Sequence, residues 1–160
     1  MTNQSQRIIT ITLVVGLLIA VGTIGTLFAL KTPASSVVLS GSSLSVEADL
    51  FSGRPNPTWQ LAPNDIQALQ DDLAPLPLRS IPATTFDGLG YRGFIVRMID
   101  DQQQRDTLTI RVYHDIIRIE HSGTTTVYED VTRGIELLLM QSASHNVPPD
   151  IYAILVSAIP

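Results

Sequence analysis

The 160-residue chain contains no cysteine, and its one lysine is Lys31. Without thiols there are no disulfides, no thiolate metal sites, no cysteine nucleophile and no cysteine to carry a lipid. Beyond Lys31 the chain holds eight arginines against 15 carboxylates, a formal charge of −7. A surface of that sign is repelled by phosphate backbones and anionic headgroups, which excludes nucleic acid as a partner. The usual catalytic signatures are also missing. No G-x-S-x-G marks a serine nucleophile, and Gly88-Leu89-Gly90 lacks the third glycine of a dinucleotide fingerprint. No cofactor is expected.

What the chain does have is an apolar opening. Ile8 to Leu30, IITITLVVGLLIAVGTIGTLFAL, runs 23 residues without a charge between Arg7 and Lys31. As a helix it reaches about 34 Å, against roughly 30 Å of bilayer hydrocarbon. Its threonines can bond back to their own helix, and the run exceeds the h-region of a cleaved signal peptide. The reading is therefore a retained single-pass anchor: residues 1–7 cytoplasmic, 8–30 transmembrane, 31–43 a flexible tether, and 44–160 an extracytoplasmic domain. Secretion after cleavage near Thr32-Pro33-Ala34 is the alternative. Gly16 with Ala20 and Gly25 with Ala29 offer small-residue spacings at which such helices pack.

The remainder reads as α+β: a small antiparallel sheet of four or five strands packed against two or three helices. LSVEADLF (44–51) alternates apolar and polar residues as a half-buried strand does. Residues 93–100, 107–113, 115–121 and 124–130 continue with short links, Ser122-Gly123 forming a hairpin turn. Pro63 and Asp65 suit a helix start, with Ile66, Leu69 and Leu73 as its buried stripe. VTRGIELLLMQSASH predicts a second helix with Val131, Ile135, Leu138 and Ser142 in line, widened by Leu139. PDIYAILVSAI predicts a third.

Several clusters are candidates for chemistry. His114-Asp115 and Glu120-His121 pair a histidine with a carboxylate. On one continuous strand His114 and Glu120 would lie roughly 20 Å apart, too far to share an ion. Asp100, Asp101 and Asp106 lack the order of a calcium loop. Asp71-Asp72 and Glu129-Asp130 sit at helix edges, where charge is commonly solvated.

The stretch FSGRPNPTW (51–59) holds two prolines, a glycine, an arginine and the only tryptophan. Pro55 and Pro57 fix φ near −65°, and Asn56 before Pro57 is pushed to extended backbone. The loop is stiff before it meets anything, which lowers the ordering cost of binding. Arg54, Asn56 and Trp59 are its candidate binding residues, since arginine and tryptophan dominate interface hot spots. The competing reading makes the same stretch a rigid corner with Trp59 in the core. SGRPNPTW, together with LGYRGF (89–94), resembles a stretch recurring in small uncharacterised bacterial proteins, several of them exported. The resemblance covers residues 46–96, implies export, and carries over no catalytic or binding residue.

The expected function is a membrane-anchored extracytoplasmic binding module whose partner is another envelope protein. Two alternatives remain. The RPNP loop is suited to an inhibitor of an extracellular hydrolase. A hydrolase or metal-dependent enzyme would need His114 or His121 beside carboxylates from another strand.

Overall fold

Alternation in LSVEA builds the first strand: Leu44, Val46 and Ala48 are buried, with Ser45 and Glu47 half-exposed between them. The computed structural model describes residue 39 and residues 43–80, 90–100 and 105–159. Six strands appear there: β1 (Leu44–Ala48), β2 (Thr58–Gln60), β3 (Phe94–Asp100), β4 (Arg105–Tyr113), β5 (Ile116–His121) and β6 (Thr124–Glu129). They form one antiparallel sheet in the order β2-β1-β3-β4-β5-β6. The sheet thus has six strands rather than four or five. The addition is β2, three residues long, which pairs Trp59 with Val46. A three-residue strand is too short to display a period of two.

The tight turn at Ser122-Gly123 has φ of 50° and 77°, the positive values at both central residues that a two-residue hairpin with matching twist demands. A register shift between Met98 and Ile99 breaks the β3–β4 ladder near its far end.

Three helices complete the α+β architecture: α1 (Pro63–Leu73), α2 (Gly134–Ala143) and α3 (Pro149–Ala158). In α1, Pro63 opens the first turn, Asp65 sits in it, and Ile66, Leu69 and Leu73 are buried. These pack into a single core with Val46, Phe94, Ile110 and Ile117 of the sheet and with Ile135, Leu139 and Leu155 of the other helices. The helix-free face of the sheet carries the alternate residues: Glu47, Ile95, Arg111 and Arg118 lie in register across β1, β3, β4 and β5, and Arg97 sits in the next such row, between Ser45 and Thr109.

Two boundaries differ from the sequence expectation. α2 begins at Gly134, so Val131 falls outside it and is 76% exposed instead of joining the buried stripe. The donors at the start of α2 explain the shift. The amide of Ile135 donates to Asp130 Oδ2 at 2.9 Å, so Asp130 closes the helix from four residues before its first turn. Leu39, placed in the tether, is fully buried, and its amide donates to Gln70 Oε1 of α1 at 3.0 Å. The run 8–30 lies outside the described residues, among which no helix is long and apolar enough to cross a membrane.

Candidate functional site

The loop from β1 to β2 is organised by one amide. Asn56 Oδ1 accepts the backbone N–H groups of Leu50 at 3.0 Å and Phe51 at 2.8 Å. Its Nδ2 donates to Glu47 Oε1 at 2.9 Å and Asp49 Oδ1 at 3.1 Å. Each of those carboxylates is matched by an arginine from β3 or the turn before it. Arg97 donates to Glu47 at 2.7 Å. Arg92 donates through Nε and Nη2 to both oxygens of Asp49, and through Nη2 to Phe51 O. Burial opposes ionisation of Glu47, but the Asn56 and Arg97 bonds outweigh it and hold its pKa below the usual glutamate value. Asn56 is therefore the internal staple of the loop.

Arg54 is exposed at the tip. Its guanidinium carbon stands 3.6 Å from the centroid of the Phe51 ring, and it makes no ion pair with any described residue. A guanidinium stacked on one face keeps its edge donors free for a carboxylate. Trp59 is placed elsewhere. It is 6% exposed, meets Phe94 edge-on at 6.1 Å, and donates from Nε1 to Ser142 Oγ of α2 at 3.0 Å. Of the three candidate binding residues, Trp59 lies in the core, Asn56 is spent on the loop itself, and Arg54 faces outward.

A second polar cluster was not apparent in the sequence. Glu136 on α2 has no exposed surface. It accepts Tyr91 Oη at 2.7 Å, the amide of His114 at 3.1 Å, and Arg133 Nε and Nη2 at 2.9 and 2.7 Å. Burial, reinforced by the Glu136 charge and its hydrogen bond, pushes the Tyr91 phenol far above its ordinary value. His114 Nδ1 lies 3.7 Å from Glu136 Oε2, beyond hydrogen-bond range. The arrangement brings a histidine near a carboxylate of a helix, not of another strand, and that carboxylate is saturated by four other donations. It locks the turn before β3, the β4–β5 hairpin tip and the start of α2 together. The only sequence signal was a glutamate where the helical period demands an apolar residue beside Ile135.

The remaining histidines are apart. His121 is exposed with Nδ1 2.9 Å from Thr107 O, and His145 is exposed in the turn after α2. Asp115 pairs with Arg79 at 3.0 Å. The side chains of Asp100, Asp101 and Asp106 lie outside the described residues. Among the described residues no three His, Asp or Glu side chains are grouped as metal ligands.

Beside α1 lies a groove of about 330 Å³. Pro75, Leu76, Pro77 and Ile135 supply apolar walls, and Asp72, Glu129 and Asp130 supply charge. Asp130 is turned inward, accepting Thr132 Oγ1 and the Ile135 amide. Asp72 is exposed, and its pKa is raised by desolvation and then by the nearby charges of Asp130 and Asp71. No basic side chain among the described residues pairs with it. Comparison of the chain with family models, with curated proteins and with solved structures gave no match.

Proposed function

We propose that this chain is a membrane-anchored binding module, held by its 8–30 segment and presenting the acidic α+β domain outside the cytoplasm. Its contact residue is Arg54, displayed with Phe51 and Pro55 on the β1–β2 loop. The observation that carries this reading is the contrast within that loop. Asn56, Asp49 and Arg92 are all satisfied internally, while the Arg54 guanidinium is exposed, stacked and without an acidic partner among the described residues. A prebuilt loop with one uncommitted cation loses little freedom on docking, which favours recognition of a carboxylate on another protein. The 23-residue uncharged run supports the anchor.

The test places a photo-crosslinking residue at Gly53 of the full chain in its own cells. A discrete adduct in the membrane fraction, lost on adding Arg54→Ala with the melting temperature unchanged, is the expected result. Adducts indifferent to Arg54→Ala, or an intact chain recovered wholly in the soluble fraction, would count against the two halves of the reading separately.

A further inference from the structure

The groove beside α1 and the tip after β1 complement each other. We propose that the occupant of the groove is a second copy of this chain: the Arg54 tip of one copy seats in the groove of the next. Its guanidinium meets Asp72, beside Glu129, which Arg79 already approaches at 4.0 Å, and its Phe51 and Pro55 lie against Pro75 and Leu76. This rests on Arg54 as the contact residue and names its partner.

Charge matches first. Asp72 lacks a basic partner and Arg54 an acidic one among the described residues, in a domain where Arg79, Arg92, Arg97 and Arg133 already have theirs. Bringing a cation to the groove relieves the crowding of Asp72 by Asp71 and Asp130. Shape matches next. The groove is apolar between its carboxylates, and Val131 stands 76% exposed in its lining. The tip offers an arginine lying on a ring, flanked by proline. The groove's volume is at the lower end of the roughly 300–1,000 Å³ typical of binding pockets, room for the Arg54 side chain with Phe51 and Pro55 at its rim.

Placement decides the mode of association. Ala48 pairs with Phe94, Phe94 with Val112, Tyr113 with Ile116 and Ile116 with Glu129. The residues following Ala48 and those following Glu129 therefore leave the same end of the sheet. They lie four strand steps apart, from β1 to β6, or about 19 Å at the usual interstrand spacing. A tip and a receptor that are different patches of the surface make a heterologous contact, which closes into a ring or continues as an open array.

The absence of cysteine makes disulfide trapping direct. Ser52→Cys marks the tip and Val131→Cys the groove, both in the full chain purified in mild detergent. The double variant should give a ladder of dimers, trimers and longer species under gentle oxidation, while neither single variant dimerises. Adding Arg54→Ala or Asp72→Asn should reduce the ladder about tenfold, the loss expected of an interface hot spot, with the melting temperature unchanged. A ladder that survives both changes, dimers of either single variant, or a double variant that stops at dimers would overturn the proposal. If position 53 cross-links in cells to a different protein while no tip–groove disulfide forms, this inference falls and the reading of Arg54 stands. If Arg54→Ala alters neither experiment, both fall.

Discussion

Tyr91 and Glu136, 45 positions apart in the chain, meet through a 2.7 Å hydrogen bond at a carboxylate with no solvent exposure. The same carboxylate takes the His114 amide and the Arg133 guanidinium. His114 and Arg133 are two of the three described non-glycine residues with positive φ, at 52° and 56°. Left-handed backbone at such residues costs of order 1–3 kcal/mol each and persists where surrounding bonds over-determine it. Here the determinant is Glu136, which holds both strained residues by name: one through its amide, the other through its side chain.

This lock gives the domain a base-labile element. The Tyr91 phenol is held protonated in the folded protein well above the ordinary tyrosine value, while in the unfolded chain it ionises near pH 10. Above that pH the unfolded state binds fewer protons than the folded one, so stability falls as pH rises. The slope is about 1.4 kcal/mol per pH unit from this group alone. Below pH 10 the contribution is fully present. Urea unfolding from pH 8 to pH 11 should show the decline in the natural chain and lose that component in Tyr91→Phe. Parallel pH profiles for the two would dismiss the assignment.

The neighbouring loop separates two residues that the sequence leaves equal. Asn56→Ala removes four hydrogen bonds and strands the amides of Leu50 and Phe51, at a cost of about 2–4 kcal/mol. Arg54→Ala removes an exposed stacking contact on Phe51 and should shift stability by less than about 1 kcal/mol. Thermal melts of the two variants should differ accordingly. A comparable loss in both would make Arg54 part of the loop's framework and not its contact.

Those two residues also show where sequence reasoning reaches its limit. Alternation in Leu44–Ala48 and the i, i+3, i+7 spacing of Ile66, Leu69 and Leu73 are local patterns, and the structure has both elements where the patterns lie. The α+β class followed from such patterns. Strand β2 did not, because three residues carry no period and its existence depends on Val46 across the ladder. The core position of Trp59 depends on Ser142, 83 positions away, and the burial of Glu136 on Tyr91 and His114. Within the candidate site, the stiffness of Pro55-Asn56-Pro57 was legible. Which of its polar groups would be consumed internally was not, since that is set by Arg97 of β3 and Arg92 in the turn before it, some forty residues on.

Acid should weaken the same loop. The folded-state pKa of Glu47 is depressed, so its contribution to stability is complete above the ordinary glutamate value near about 4.3 and is lost as pH falls through the folded value. Protonation removes the charge that holds Arg97 and one acceptor of Asn56. Glu47→Gln should therefore flatten the acid limb of the stability profile below about pH 5 while lowering stability at pH 7. An acid limb as steep in the variant as in the natural chain would place the sensitivity at another carboxylate.

Two glycines of the LGYRGF stretch offer the sharpest backbone test. Gly90 and Gly93 both have positive φ, at 97° and 106°. A Cβ at Gly90 meets nothing within 4 Å, so Gly90→Ala carries only dihedral strain, roughly 1–2 kcal/mol. A Cβ at Gly93 would stand 2.1 Å from the carbonyl oxygen of Val112, an atom of β4's own backbone that cannot swing aside as a side chain does. Gly93→Ala must push β3 away from β4 where Phe94 pairs with Val112, beside the hydrogen bond that the Asp49 N–H donates to Gly93 O. Both the strain and the clash add, and the expected loss is about 3–5 kcal/mol, in the range reserved for backbone defects. Urea titrations of the two variants should therefore separate by several kcal/mol, with the Gly93 variant also losing amide protection at the start of β3. Equal midpoints would mean that β3 and β4 do not approach as closely at Val112 as this register requires.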